Sequence, residues 1–156
     1  NGLLQTNIFK YHDFVLRREK VRFIPEKTIR KDNVVFRTLS PILIEDKEGN
    51  PLAPNDLEYE NAINYYANLI IKGFRGKGLR QKLKVTPGRM VKQVIKESNH
   101  EFGETQKYGE WLYFTSYKGF IKLHGSPEDL QLLYQLGLSK RRGQSFGLLD
   151  VEREGV

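Results

Sequence analysis

The sequence contains no cysteine. Disulfide scaffolds and thiolate metal sites are therefore excluded, and nothing points to an oxidising compartment. Histidine is almost as scarce, with only His12, His100 and His124. No two of them stand at metal-ligand spacing, and no carboxylates complete a recognisable metal motif. Phosphate-binding P-loop, dinucleotide and nucleophile-elbow patterns are also missing, so no metal or cofactor is expected. Apolar runs stay well short of the ~20 residues that cross a bilayer, and no signal-peptide pattern is visible. The expectation is a cytoplasmic protein with no membrane partner. Internal repeats and low-complexity tracts are absent too.

One further lack is local. From Lys72 to Lys92 there is no acidic residue, while Lys72, Arg75, Lys77, Arg80, Lys82, Lys84, Arg89 and Lys92 supply eight cations. Solubilising faces normally mix signs. A face of one sign favours an anionic partner, and the net charge of +7 points the same way. The 156 residues hold one ordinary domain, or one domain plus part of another. Hydrophobic content of 38% with 12% aromatics fits a folded globular chain.

In chain order, residues 1–31 carry alternating segments at Phe14-Val15-Leu16 and Val21-Arg22-Phe23-Ile24, joined by Arg17-Arg18-Glu19-Lys20. They predict a hairpin. It has no helix of its own to pack on, so 1–31 is expected to end a preceding, incomplete domain. A strand is predicted over 34–39, kinked at Ser40-Pro41 because proline cannot donate to a ladder, and resumed at Ile42-Leu43-Ile44. A turn follows at Glu48-Gly49-Asn50-Pro51. Asn55 with Glu58 resembles a capping box. Tyr59, Ile63, Tyr66 and Ile70 then recur at helical spacing until Lys72-Gly73. The basic stretch alternates over 79–85, carries the turn signal Thr86-Pro87-Gly88-Arg89, and continues in strand period at Val91, Gln93 and Ile95. It predicts a basic β-hairpin. Residues 110–123 form the longest alternating run, with Gly119 as a bulge. Ser126-Pro127-Glu128-Asp129 opens a second helix, with proline at its first position and acids in its first turn. A last strand is predicted at 148–152. From Val34 the order is β-α-β-β-α-β. The predicted class is therefore α+β, a ferredoxin-like domain over 32–156 with an extra basic hairpin, an architecture shared with RRM-like RNA readers. Fold alone does not name a function.

The candidate chemistry is binding. Arg75, Lys77, Arg80, Lys82, Lys84, Arg89 and Lys92 are candidates for phosphate neutralisation, which gives a steep salt dependence. Tyr113, Tyr117 and Phe120 have the character of base-stacking platforms, although such aromatics more often line a core. Among the histidines, His12 beside Asp13 has the makings of a general base, yet nothing nearby assembles a site. His100 reads as a solvated loop residue and His124 as a strand cap. The other candidate is the loop 137–147, which follows the second helix and holds Gly137, Gly143 and Gly147 with Lys140-Arg141-Arg142 and Gln144. Gly137 suits a positive-φ helix end. Gly143 and Gly147 allow a close backbone approach to a bulky partner, and free N–H groups beside three cations suit phosphates.

Phe36-Arg37-Thr38-Leu39-Ser40-Pro41-Ile42, Gly125-Ser126-Pro127-Glu128 and Gly137-Leu138-Ser139 … Gln144-Ser145-Phe146-Gly147 occur in that order. Together they resemble the CRISPR-associated endoribonuclease that processes precursor CRISPR RNA, of the repeat-associated (RAMP) superfamily. The resemblance covers about residues 33–152. It implies two tandem ferredoxin-like domains, this chain matching the second and the end of the first. It implies metal-independent cleavage of repeat RNA by 2′-hydroxyl attack on the adjacent phosphate, with RNA contacts at Gly137, Lys140, Arg141, Arg142, Gly143 and Gly147. The family's usual histidine lies near the start of the first domain and maps onto no residue here. The usual loop has glycine at the positions of Ser139 and Ser145, and commonly serine at Gly143. The resemblance implies repeat or precursor CRISPR RNA as partner and leaves room for other effector subunits or a second copy of the chain. The alternative it carries is a non-catalytic RAMP-type subunit that binds the repeat-derived part of guide RNA.

Overall fold

A computed structural model describes residues 5–98 and 110–155. A short antiparallel ribbon comes first, β1 (Ile8–Tyr11) with β2 (Phe14–Arg17). The main unit follows as β3 (Asn33–Thr38), α1 (Tyr59–Arg75), β4 (Lys84–Ser98), β5 (Trp111–His124), α2 (Pro127–Leu136) and β6 (Leu149–Glu154). Its sheet order is β4-β5-β3-β6 with every neighbouring pair antiparallel. This is the ferredoxin-like arrangement that the β-α-β-β-α-β order predicts.

Side-chain periodicity explains the layers. Val34 and Phe36 of β3, Val85 of β4, Ile121 and Leu123 of β5, and Leu149 and Val151 of β6 share one face of the sheet and are buried. Tyr59, Ile63, Ala67, Ile70 and Ile71 of α1 recur every three or four residues and close onto that face, with Leu130 and Leu133 of α2 beside them. Each such aliphatic side chain stabilises the fold by about 1.5–3 kcal/mol through burial. Truncating Ile63, which has no exposed surface, is expected to cost about 2–5 kcal/mol.

Several local expectations need correction. The N-terminal ribbon pairs 8–11 with 14–17, turning at His12, whose φ of +50° is left-handed. Val21, Phe23 and Ile24 form no strand and are exposed. The Asn55 cap does not form, because α1 starts at Tyr59 after Glu58, with no side-chain cap. Asp56 instead accepts from the Ala53 N–H at 2.6 Å. The helix also runs past Lys72 to Arg75. Ile42 pairs with Tyr117 as a single bridge, so the strand does not resume beyond Pro41 as a full element.

The main revision concerns the basic segment. It belongs to a hairpin, but its partner is β5, and Thr86-Pro87-Gly88-Arg89 lies inside β4 as a bulge. Pro87 faces Ile121 and Met90 faces Gly119, so β4 holds one residue more than β5 there. Gly119 makes the bulge fit, since a Cβ at this position would lie 2.0 Å from the Arg89 carbonyl oxygen. The Gly119 N–H is taken by Thr38 Oγ1 at 2.8 Å. Beyond the bulge, β4 and β5 continue as a two-stranded arm.

Candidate nucleic-acid interface

The loop 137–147 sits against the face of this arm that carries no helix. Phe114 of β5 is the anchor, with Phe146 packed edge-on at a centroid distance of 6.2 Å and Leu43 completing a small second core. Backbone bonds fasten the loop along its length: Leu138 N–H to Gly147 O, Lys140 N–H to Leu43 O, and Gly147 N–H to Pro41 O, at 2.8, 3.0 and 2.8 Å. Ser139 is buried, and its hydroxyl accepts from Leu43 N–H at 3.0 Å while donating to Leu43 O at 3.1 Å. A glycine there would lose this clasp, which accounts for the serine. Ser145 has a left-handed φ of +65°, a conformation natural to glycine.

The glycines divide in their roles. At Gly147, with φ of +77°, a Cβ would lie 2.4 Å from the Leu138 carbonyl oxygen. Its close approach is therefore to the loop's own backbone and not to a partner, which corrects the sequence-based reading. Gly143 has open space around it and an exposed position in the turn Arg142–Gln144. Gly137 ends α2, its N–H bonded to Leu133 O.

The loop's cations are already engaged to different degrees. Lys140 pairs with Glu45. Arg141 lies over the Phe114 ring, 4.3 Å from its centroid, and donates to Gln144 Oε1 at 2.9 Å. Arg142 donates to the Leu136 carbonyl at 2.8 Å. Gln144 also reaches Glu97 of β4 at 3.4 Å. Among the described residues, no hydrogen bond occupies the backbone N–H groups of Arg141, Arg142 and Gly143. These three groups and the two guanidinium faces are what the loop offers to an anion.

The basic segment splits likewise. Arg75, Arg80 and Lys82 are tied to acids of the helices: Arg75 to Asp129 at 2.6 Å, Arg80 to Glu128 at 2.8 Å and Lys82 to Glu60 at 3.9 Å. Lys77 projects from the loop after α1. Lys84, Arg89 and Lys92 are exposed and form no ion pair among the described residues. Directly opposed residues of an antiparallel ladder share a face. Lys84 opposes His124, Lys122 opposes Val35 and Thr86, Phe120 opposes Arg37, and Lys118 opposes Val91. The helix-free face therefore carries Lys84, Lys118 and Lys122 around Phe120, starting where the loop ends. Lys118 and Lys122 were missed in the sequence, although their alternation with Gly119 and Ile121 is a readable signal. Lys92 and Tyr117 oppose each other on the other face, and Tyr113, on that same face, is exposed.

Electrostatics at the rim are local. Asp150, opposite Arg37 on β3, is held below the usual carboxylate range by a hydrogen bond from Lys27 at 2.9 Å and by Arg37 at 3.2 Å, against the opposing effect of burial. His124 Nδ1 lies 3.8 Å from Asp32 at the exposed strand end. His100 lies outside the described residues. Among those described, no group of histidines and carboxylates could hold a metal ion, and no helix is long and apolar enough to cross a membrane.

Known structures share this fold. The chain superposes at a TM-score of 0.77 and 18% identity on a Cas6-related protein from Pyrococcus furiosus, covering 99% of this chain and 61% of that one. A RAMP protein described as binding different RNA substrates gives 0.78 and 18%, covering 97% and 61%. A CRISPR associated protein Cas6 gives 0.64 and 16%, covering 89% and 55%. The chain thus spans about three-fifths of the length of the structures it resembles. No curated protein matches it. The profile of CRISPR associated protein Cas6, C-terminal, matches residues 24–151, from before β3 into β6, and the chain belongs to that family.

Proposed function

We propose that this chain is the RNA-gripping C-terminal part of a metal-independent endoribonuclease that processes precursor CRISPR RNA. One observation carries the reading: five cations, Lys84, Arg89, Lys92, Lys118 and Lys122, lie on β4 and β5 without an ion pair among the described residues. Lys84, Lys118 and Lys122 share the helix-free face with a glycine-bearing loop, on which no hydrogen bond among the described residues occupies the Arg141, Arg142 and Gly143 N–H groups. Cations left without carboxylates on a regular surface, spaced by the strand repeat, are suited to a phosphate backbone. Phe120 adds one exposed ring for stacking.

In this reading the interface holds the strand so that a ribose 2′-oxygen faces the adjacent phosphorus. The 2′-oxygen forms a bond to phosphorus, the 5′-oxygen leaves with a proton, and a cyclic phosphate results. The acid–base groups come from a preceding domain, of which residues 1–31 are the end. Ile8, Phe14, Val15, Leu16, Phe23 and Ile24 are exposed there, an apolar surface suited to packing against such a domain. The interface residues bind and position RNA, and no catalytic group is assigned among them. That role also fits a second reading, a non-catalytic RAMP-type subunit holding the repeat-derived end of guide RNA.

End-labelled CRISPR repeat RNA incubated in EDTA with this chain joined to the preceding domain that carries the acid–base groups separates these. A single cut ending in a cyclic phosphate supports the nuclease. Intact RNA that is retarded on a native gel supports the non-catalytic subunit. RNA neither cut nor bound overturns both.

A further inference from the structure

Where α1 begins, an open, shallow cavity of about 460 Å³ lies between the loop before the helix and the bulge of β4. Pro54, Asn55, Pro87, Gly88, Met90 and Tyr117 line it. The volume falls within the range of small-molecule sites. None of these side chains is charged, so the cavity is not built for a phosphate. Two proline rings, a thioether and a phenol ring supply flat, polarizable walls. The Asn55 amide is exposed and makes no hydrogen bond among the described residues, leaving both a donor and an acceptor for a ligand.

The walls are held in place. Tyr117 is fixed through both its backbone groups, with N–H to Ile42 O at 2.9 Å and O from Ile42 N–H at 2.8 Å. Pro87 and Met90 are set by the bulge, and all three face the helix side of the sheet. Nearby, the Tyr59 hydroxyl is buried with no hydrogen-bond partner among the described residues. Burial, and then Tyr117, keep it protonated, so it stays a neutral donor. Two residues beyond Met90, Lys92 opposes Tyr117 on the same face, exposed and without an ion pair among the described residues.

A flat heterocycle with donors and acceptors on its edge, joined to an anion, matches this combination of neutral slot and adjacent cation. We infer that the cavity takes one unpaired nucleobase of an RNA strand, stacked on Tyr117 and hydrogen-bonded by Asn55, with Lys92 on the neighbouring phosphate. The inference rests on the RNA-binding reading above and adds a base-reading position on the opposite face of the sheet from the loop.

The test is fluorescence anisotropy with the full chain, using labelled oligoadenylate and its abasic counterpart at fixed salt. Stacking is worth about 1–3 kcal/mol per base, so wild type should prefer the base-bearing strand by about 5- to 150-fold. Tyr117→Leu should lower that preference at least about 5-fold, leaving only what stacking on Phe120 supplies, with the abasic affinity in place. Asn55→Ala, an exposed loop change that spares the fold, should reduce it about 3- to 10-fold. Lys92→Ala should weaken both strands equally. Equal binding of the two strands by wild type overturns the cavity assignment and leaves RNA binding standing. An unchanged preference in both Asn55→Ala and Tyr117→Leu overturns it as well. Binding of neither strand overturns the RNA reading itself.

Discussion

Asp129 has no exposed surface, although it sits in the first turn of α2 where a solvated acid would serve as well. Its Oδ1 is 2.6 Å from the Arg75 guanidinium, and its Oδ2 accepts from the Arg80 backbone N–H at 2.7 Å. One carboxylate thus ties the end of α1 and the loop before β4 to α2. Asp129→Ala leaves the Arg80 N–H without its partner, which costs about 1–3 kcal/mol. Breaking a fully buried ion pair costs about 3–5 kcal/mol. Arg75 is 21% exposed and keeps its bond to Gly78 O at 2.6 Å, so it rehydrates in part and the lower end applies. The net expectation is about 3 kcal/mol. Urea unfolding measures it: with a slope of about 1–3 kcal/mol/M, the midpoint should fall by roughly 1–3 M at unchanged slope. Asp129→Asn retains an acceptor for Arg80 and should lose about half as much. An alanine variant within about 0.5 kcal/mol of wild type refutes the reasoning, because surface substitutions fall in that range.

Further predictions concern the loop, the rim and the sheet face. Ser145→Gly should raise stability by up to about 1 kcal/mol by relieving a left-handed side chain, read from the urea midpoint. Gly147→Ala should lower it by more than ~1 kcal/mol, since the new methyl meets the Leu138 carbonyl. The carboxyl of Asp150 is depressed in the fold, so its contribution is complete above the ordinary carboxylate pKa and disappears as pH falls through the depressed value. Asp150→Asn should therefore destabilise by under ~1 kcal/mol at neutral pH, and the two stability curves should converge as pH falls through that depressed value. Lys118→Ala with Lys122→Ala should flatten the dependence of log affinity for RNA on log salt by about 1.4–1.8, the share of two phosphates. An unchanged slope counts against the helix-free face.

Regular elements were legible because their signals are local. The alternation of Val34 and Phe36, the spacing of Ile63, Ala67 and Ile70, and the Ser126-Pro127 start each specify a face or a boundary within one stretch of chain. Failures came where the deciding partner is distant. Thr86-Pro87-Gly88-Arg89 has the composition of a turn, and it becomes a bulge because Gly119, some thirty residues later, leaves room for the Arg89 carbonyl. Asn55 looked like a cap because the pattern does not show Asp56 bonding back to Ala53. Among the candidate binding cations, sequence separated none of the paired from the unpaired: Arg75 finds Asp129 across more than fifty positions. The loop was recognisable as a loop, yet the reason for Ser139 lies in Leu43, on a segment that precedes α1.

The extra residue in β4 also acts as a phase shifter. Before it, odd-numbered positions such as Val85 turn toward the helices; after it, even-numbered ones such as Met90 and Lys92 do. Had the alternation run unbroken, Val91 and not Lys92 would share a face with Tyr117. Deleting Gly88 would remove the extra residue and leave Met90 opposite Gly119 and Lys92 opposite Tyr117 in an unbroken ladder, whereas deleting one residue beyond Met90 would turn over the outer part of β4 alone. Additions or losses of two residues farther out would preserve both faces. The arm can vary in length by pairs while the core it leaves behind stays unchanged.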